Sequence, residues 1–299
     1  MNAINNFIVK IVKMMPKPVV FIFAKKYIAG ERLEDAVKVV KELNAKGIMA
    51  TMDVLGESIS SKKEAEDAKM ECLRVLDTIN ENKLNANLSV KPTQLGLGID
   101  PDFCYTLLSE ILEKAKAYNN FVRIDMEDSP FTTSTIELVL RLKQKFDNTG
   151  IVVQAYLKRT AQDVVEMNKH GMNYRLCKGI YVEPAEIAYK ERQEVRDNYL
   201  KLLQLMLDNG NYTGIATHDD YLVEGAYKLI KEKNYSRDKF EFQMLYGVKE
   251  NLRDKINKDG HKIRIYVPYG KQWYAYSIRR LKENPQVAWY IFKSIFSLN

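Results

Sequence analysis

Cysteine is scarce in this chain. Cys72, Cys104 and Cys177 are the full complement, odd in number and without a CxxC pair. That argues against a disulfide framework or a zinc site and fits a reducing, cytoplasmic setting. Histidine is equally sparse: His170, His218 and His261 lie far apart with no HExxH spacing, so no metal centre is expected. No GxSxG elbow occurs, which disfavours a serine hydrolase. No GxGxxG follows the first apolar segment, which runs into Val54-Leu55-Gly56-Glu57, so a Rossmann dinucleotide domain is disfavoured too. Long apolar runs are missing as well. Pro18-Val19-Val20-Phe21-Ile22-Phe23-Ala24 falls well short of the roughly 20 residues that span a bilayer. Lys10, Lys13 and Lys17 break up the stretch before it, and no small-residue cleavage site follows, so it reads as retained protein rather than a signal peptide.

What is present is ordinary globular material: 299 residues, 46% apolar and 28% charged, with a net charge of +7. Such an excess attracts anionic lipid, phosphate or nucleic acid without choosing among them. The lysines are spread over many segments rather than gathered in a stripe, so nucleic acid is not an expected partner.

From about residue 47 the chain repeats a short apolar strand, a loop and an amphipathic helix. Strands are predicted at Gly47–Leu55, Leu88–Lys91, Phe121–Met126, Ile151–Tyr156, Tyr174–Lys178, Gly214–His218, Phe240–Tyr246 and Lys262–Pro268. Helices are predicted near 60–81, 102–118, 132–146, 160–170, 184–209, 219–233 and 249–258, with a last one from about Gln272 onward. Strict β-then-α alternation implies parallel strands with crossover helices. Eight such units in about 250 residues suit a closed (β/α)8 TIM-type barrel better than the alternative, an open doubly wound sheet. Residues 1–46 look helical and stand outside this cadence as an N-terminal arm, with 47–299 forming the barrel.

Barrel enzymes carry their sites at the C-terminal strand ends. Polar residues interrupt strand after strand there: Glu57, Lys91, Asp125, Gln154, Arg175 with Lys178, Thr217 with His218, Gln243, and Tyr266. Each has an ordinary explanation alone, as a loop cap, a solvated charge or a satisfied core amide. Convergence of all of them on one mouth requires mutual pairing or a ligand, because unpaired buried charge is expensive. In the last predicted helix Tyr276, Arg279, Arg280 and Glu283 sit at i, i+3, i+4 and i+7, hence on one face. Adjacent guanidinium forks suit a carboxylate. A solvated face with an ordinary ion pair is the plainer reading of that helix taken by itself.

Six runs resemble proline dehydrogenase motifs and occur in that family's order over roughly residues 47–290. They are Arg123-Ile124-Asp125-Met126-Glu127, Arg175-Leu176-Cys177-Lys178-Gly179-Ile180-Tyr181, Ala216-Thr217-His218, Phe242-Gln243-Met244-Leu245-Tyr246-Gly247, Arg264-Ile265-Tyr266-Val267-Pro268-Tyr269-Gly270 and Tyr276-Ser277-Ile278-Arg279-Arg280-Leu281-Lys282-Glu283. The length is similar to the single-function bacterial members. The resemblance implies FAD held noncovalently at the strand ends and oxidation of L-proline to 1-pyrroline-5-carboxylate. It implies Asp125 and Arg175 as the catalytic pair, with Met126, Gln154, Arg175, Lys178, Gly179, Ile180, Thr217 and His218 along the flavin. It places Lys91, Arg279 and Arg280 on the proline carboxylate, and Tyr181, Leu245, Tyr266 and Tyr276 around the proline ring. Glu57 resembles the acidic partner of Arg279 that closes the site. Cys177 stands where relatives often carry an aliphatic residue.

The resemblance further implies a membrane quinone as electron acceptor, reached by peripheral docking at the inner face of the cell membrane. The segment Phe7-Ile8-Val9-Lys10-Ile11-Val12-Lys13-Met14-Met15 suits a lipid surface, although a helix packed on the barrel explains it somewhat better. Two rivals remain open on the sequence. One is an aldolase-type barrel with a Schiff base on Lys91 or Lys178; the other is a noncatalytic flavin- or membrane-binding module. Arg280→Lys is expected to raise the KM for proline strongly, because a point charge cannot reproduce a bidentate fork. An unchanged KM in steady-state assays would remove Arg280 from the carboxylate clamp.

Overall fold

A computed structural model describes residues 20–21, 24–56, 59–274 and 276–277. Eight parallel strands close on themselves in sequence order: β1 (Met49–Val54), β2 (Ala86–Val90), β3 (Val122–Ile124), β4 (Thr149–Gln154), β5 (Tyr174–Cys177), β6 (Thr213–Ala216), β7 (Phe240–Leu245) and β8 (Ile263–Tyr269). The barrel shuts where β8 pairs with β1, from Met49 opposite Arg264 to Val54 opposite Tyr269. The crossover helices are α2 (Lys62–Glu81), α3 (Pro101–Ala117), α4 (Thr132–Lys143), α5 (Thr160–Asn168), α6 (Arg192–Asp208), α7 (Asp220–Lys233) and α8 (Glu250–Lys258). Local chemistry sets several starts. Ser61 and Glu64 form a reciprocal capping box on α2, and Asp100 caps α3 ahead of Pro101.

The strands are buried on both faces, and the two faces differ. Outward side chains such as Met52, Leu88, Val90, Ile124, Val153, Leu176, Ile215, Phe242 and Ile265 join the helices in one continuous apolar core. The alternate positions face inward and are mostly polar, with Val152, Gly214 and Ala216 among the exceptions. Arg175 on β5 reaches Ser89 on β2 at 3.2 Å, a bond between strands that are not neighbours and therefore one that crosses the interior. This alternation of apolar out and charged in is what period-two geometry produces when the lumen is lined for chemistry.

A helix preceding β1, α1 (Leu33–Asn44), packs against both β1 and β8. Its Leu33, Ala36, Val39, Val40 and Leu43 belong to the main core. Residues 33–44 thus seal the joint between the first and last strands, the position a helix after β8 would otherwise cover. Just before it, Ala29 N donates to Pro268 O at 2.9 Å and Gly270 N donates to Gly30 O at 3.0 Å, tying the chain's beginning to the end of β8.

The structure departs from the sequence-based expectation between residues 184 and 191, predicted as the first turns of a helix that in fact starts at Arg192. Here Leu157 and Ala188 form an antiparallel bridge, and Tyr189 N donates to Tyr156 O at 2.8 Å. Backbone pairing with the β4–α5 loop has overridden a helical side-chain pattern. Of the predicted final helix, Gln272 sits in a turn, Trp273, Tyr274, Tyr276 and Ser277 are helical, and Ala275 and the residues from 278 on lie outside the described residues.

Leu43→Ala is expected to cost about 2–5 kcal/mol in chemical denaturation, the usual range for emptying a packed core site. A cost below about 1 kcal/mol would show that α1 leans on the barrel without completing it.

Candidate active site

The mouth holds a cavity of about 260 Å³ at the C-terminal strand ends. Lys91, Asp125, Met126, Gln154, Arg175, Lys178, Gly179, Ile180, Thr217, His218, Tyr266 and Tyr276 all line it, so every described residue of the expected site meets in one place. Tyr181, Gln243 and Leu245 line it as well. Glu57, Arg279, Arg280 and Glu283 lie outside the described residues.

Asp125, just past β3, is the hub of the floor. Its Oδ1 accepts from Arg175 Nη1 at 2.8 Å and from Ser89 Oγ at 2.6 Å, and its Oδ2 accepts from the Tyr266 hydroxyl at 2.9 Å. Arg175 is pinned on its other edge, where Nε donates to Gln243 Oε1 at 2.7 Å, and its guanidinium lies 5.1 Å from the Tyr266 ring centre. Lys91 Nζ bonds Asp53 Oδ1 at 2.6 Å, stands 3.8 Å from Asp125 Oδ2 and reaches the Tyr266 hydroxyl at 3.5 Å. Burial pulls the Lys91 ammonium down, but the charges of Asp53 and Asp125 outweigh it and hold it above its usual range. Burial, reinforced by Asp125 and Asp53, raises the Tyr266 phenol well above its ordinary value, so Tyr266 remains a hydrogen-bond donor.

The walls are set by backbone. Gly179 follows β5 with φ of +107°, and a Cβ there would fall 2.2 Å from the Tyr156 ring. Only glycine lets residues 178–180 pass Tyr156 and present Lys178 and Ile180 to the mouth. Gln154 Nε2 donates to Glu127 O at 2.9 Å, and Glu127 in turn accepts from Thr93 N and Oγ1, which ties the β2, β3 and β4 ends together. His218 Nε2 accepts from Leu245 N at 2.8 Å, which places that ring's proton on Nδ1.

At the rim a cationic cluster surrounds Asp219, which opens α7. Arg196 grips it through Nε at 3.0 Å and Nη2 at 2.7 Å, with Lys178 at 3.4 Å and Arg192 at 3.6 Å. Three cations against one carboxylate leave positive charge beside the cavity. Among the described residues no group of His, Cys, Asp and Glu is placed to hold a metal, and no helix is long and apolar enough to cross a membrane.

Sequence reasoning missed Asp53, Ser89 and Asp219. Asp53 had left a signal, an acid inside the apolar strand Met49-Ala50-Thr51-Met52-Asp53-Val54. Ser89 left none, since a serine within a strand is unremarkable until register shows what it faces.

A TIM-type barrel with a charged hub and an apolar-walled mouth at its strand ends defines an enzyme of the strand-end class. The family model described as proline dehydrogenase matches residues 36–289. The chain is 40% identical over 272 residues to proline dehydrogenase 1 of Bacillus subtilis, covering 91% of this chain and 90% of that one. It is 33% identical over 277 residues to proline dehydrogenase of Deinococcus radiodurans, covering 91% and 89%. Among solved structures, proline utilization A (PutA) from Bdellovibrio bacteriovorus, inactivated by N-propargylglycine, superposes with a TM-score of 0.83 at 25% identity. That match covers 88% of this chain and 32% of the PutA chain, so this chain spans about a third of that larger protein. The chain belongs to the proline dehydrogenase family and is an oxidoreductase of proline catabolism.

Burial raises the Asp219 carboxyl, but hydrogen bonds from Arg196 and the charges of Lys178, Arg196 and Arg192 overcome it and hold it down at about 2. A carboxyl depressed in the fold stabilises it above the unfolded value of about 3.9 and loses that contribution as pH falls toward 2. The gap in thermal midpoint between the native chain and Asp219→Asn should therefore be constant above about pH 5 and shrink between about pH 4 and pH 2. A gap that ignores pH would remove this ion cluster as the cause.

Proposed function

We propose that the mouth binds FAD with L-proline against it, and that the chain oxidises proline to 1-pyrroline-5-carboxylate and passes the electrons to a membrane quinone. The observation that carries this reading is the convergence of Asp125, Arg175, Lys91 and Tyr266 on the floor of one apolar-walled cavity. The residues fit a flavin. Met126, Val152, Ile180 and Leu245 would offer apolar surface to a flat ring, Gln154 and Arg175 would offer polar groups, and Lys178 with Arg192 and Arg196 at the rim would supply positive charge suited to a pyrophosphate. When bound, the flavin would supply the acceptor for the hydride, which carries the two electrons of the oxidation.

This chain's side chains supply placement and field. Lys91, together with Arg279 and Arg280 in this proposal, holds the substrate carboxylate and fixes the ring carbon beside nitrogen in a productive pose. Tyr181, Leu245, Tyr266 and Tyr276 exclude water from the ring, and Glu57 closes over it by pairing with Arg279. Asp125 accepts from Arg175, Ser89 and Tyr266 and so fixes the places of Arg175 and Tyr266. Arg175 puts a permanent charge where electron density accumulates during oxidation. Delivery to a quinone calls for contact with a membrane surface, and the basic apolar segment Phe7–Met15 is the candidate for it.

L-proline added without oxygen to the FAD-loaded protein should bleach the flavin absorbance, and reoxidation should follow addition of a soluble quinone. Yellow protein that proline leaves unbleached would overturn the reaction. A colourless protein that borohydride traps on Lys91 or Lys178 would favour the Schiff-base alternative.

A further inference from the structure

One buried carboxylate lies below the cavity and has no part in the binding just described. Glu241, on β7 and 2% exposed, accepts from Arg264 through Nε at 2.6 Å and Nη2 at 3.1 Å, from the Tyr212 hydroxyl at 2.8 Å, and from Gln243 Nε2 at 2.6 Å. Gln243, two residues along the strand and so on the same inward face, turns its Oε1 up to Arg175 Nε at 2.7 Å.

A carboxamide is nearly symmetric in shape, and its two ends are told apart by what they meet. Above Gln243 stands a guanidinium that can only donate. Below it stands a carboxylate that can only accept. Burial would favour protonating Glu241, yet the charge of Arg264 and the hydrogen bonds from Arg264, Tyr212 and Gln243 outweigh it and lower its pKa, so the acceptor character persists. With both neighbours fixed in kind, a single orientation of Gln243 satisfies both, and that orientation delivers an acceptor to Arg175. Asp125 holds the other edge of the same guanidinium at 2.8 Å. Two acceptors on two edges determine its plane and its place in the cavity floor.

We propose that Glu241 is a positioning residue for the oxidation: its charge sets the direction of the Gln243 amide, and the amide fixes Arg175 beneath the reacting centre. Arg264 anchors the carboxylate, and Tyr212 restrains its second oxygen. The inference rests on the oxidoreductase reading of the cavity.

The test compares Glu241→Gln with Tyr212→Phe in the FAD-loaded full chain. Both remove a partner from the buried cluster, but only the first removes the charge beneath Gln243 and puts there a group that can also donate, because Tyr212→Phe keeps the Glu241–Arg264 pair. Two readouts are followed: hydrogen exchange of the Arg175 Nε–H, assigned by its loss in Arg175→Lys, and the flavin midpoint potential. Glu241→Gln should speed the exchange by about ten-fold, the scale of one lost hydrogen bond, and make the potential more negative. Tyr212→Phe, which leaves Glu241 paired with Arg264, should leave both close to native. Equal effects from the two variants, or native exchange in Glu241→Gln, would overturn the positioning role. If neither folds, Gln243→Met, which keeps the Glu241–Arg264 pair, decides it: fast exchange and lowered kcat at unchanged KM support the relay, and native values refute it. Exchange does not require turnover, so failure of proline to bleach the flavin would count against the reaction and leave the exchange result to judge the relay.

Discussion

The structure depends on the pairing of charge inside a closed barrel. Eight strands enclose a lumen that must be filled, and here it is filled with ionic groups: Lys91 with Asp53, Arg175 with Asp125, and Arg264 with Glu241. Removing one partner of such a pair costs far more than the pair contributes, because a lone charge is left in a medium that solvates it poorly. Arg123 is the exception that marks the limit. Its guanidinium is bonded to the neutral oxygens of Ile151 and Asn173 rather than to a carboxylate, and burial, together with repulsion from Arg175, lowers it to about 9. An all-aliphatic lumen would be more stable; this one is organised around a site.

That constraint links the two ends of the barrel. The polar chain runs from Tyr212 and Arg264 through Glu241 and Gln243 to Arg175, and on through Asp125 to Tyr266 and Lys91. Each member is fixed by its neighbours, so the groups at the mouth arrive with their directions already decided. Preorganisation of this kind lets fixed dipoles and charges stabilise a developing charge without rearranging when it appears. The apolar shell outside the strands holds the backbone that carries the chain, and the two faces of each strand thus serve separate ends.

The fold was legible because alternation is a local property. Short apolar runs such as Ile151-Val152-Val153 separated by amphipathic helices can be read residue by residue, and closure follows from counting them. Site residues at strand ends were legible for a related reason: Lys91, Asp125 and Arg175 are expensive to bury, and their cost shows in the sequence. Partners were not. That Ser89 meets Arg175, or that Asp53 meets Lys91, is decided by register and curvature across strands that are distant along the chain. The Pro184–Glu191 segment was misread because its side-chain spacing is helical, while its backbone is claimed by Tyr156 and Lys158 in another loop. The role of α1 was equally hidden, since a helix placed before the repeat gives no local sign that it will cover the last strand.

The placement of α1 has a consequence for how the molecule is made. On the ribosome this helix emerges ahead of every strand of the barrel, with an apolar stripe of Leu33, Ala36, Val40 and Leu43 that needs both β1 and β8. Half of its cradle exists only after the nascent chain has been extended beyond Ile263. Contacts between such remote segments are slow to form, and greasy surfaces left waiting invite association with other chains. A helix made before every strand of the barrel is thus among the last elements to be housed.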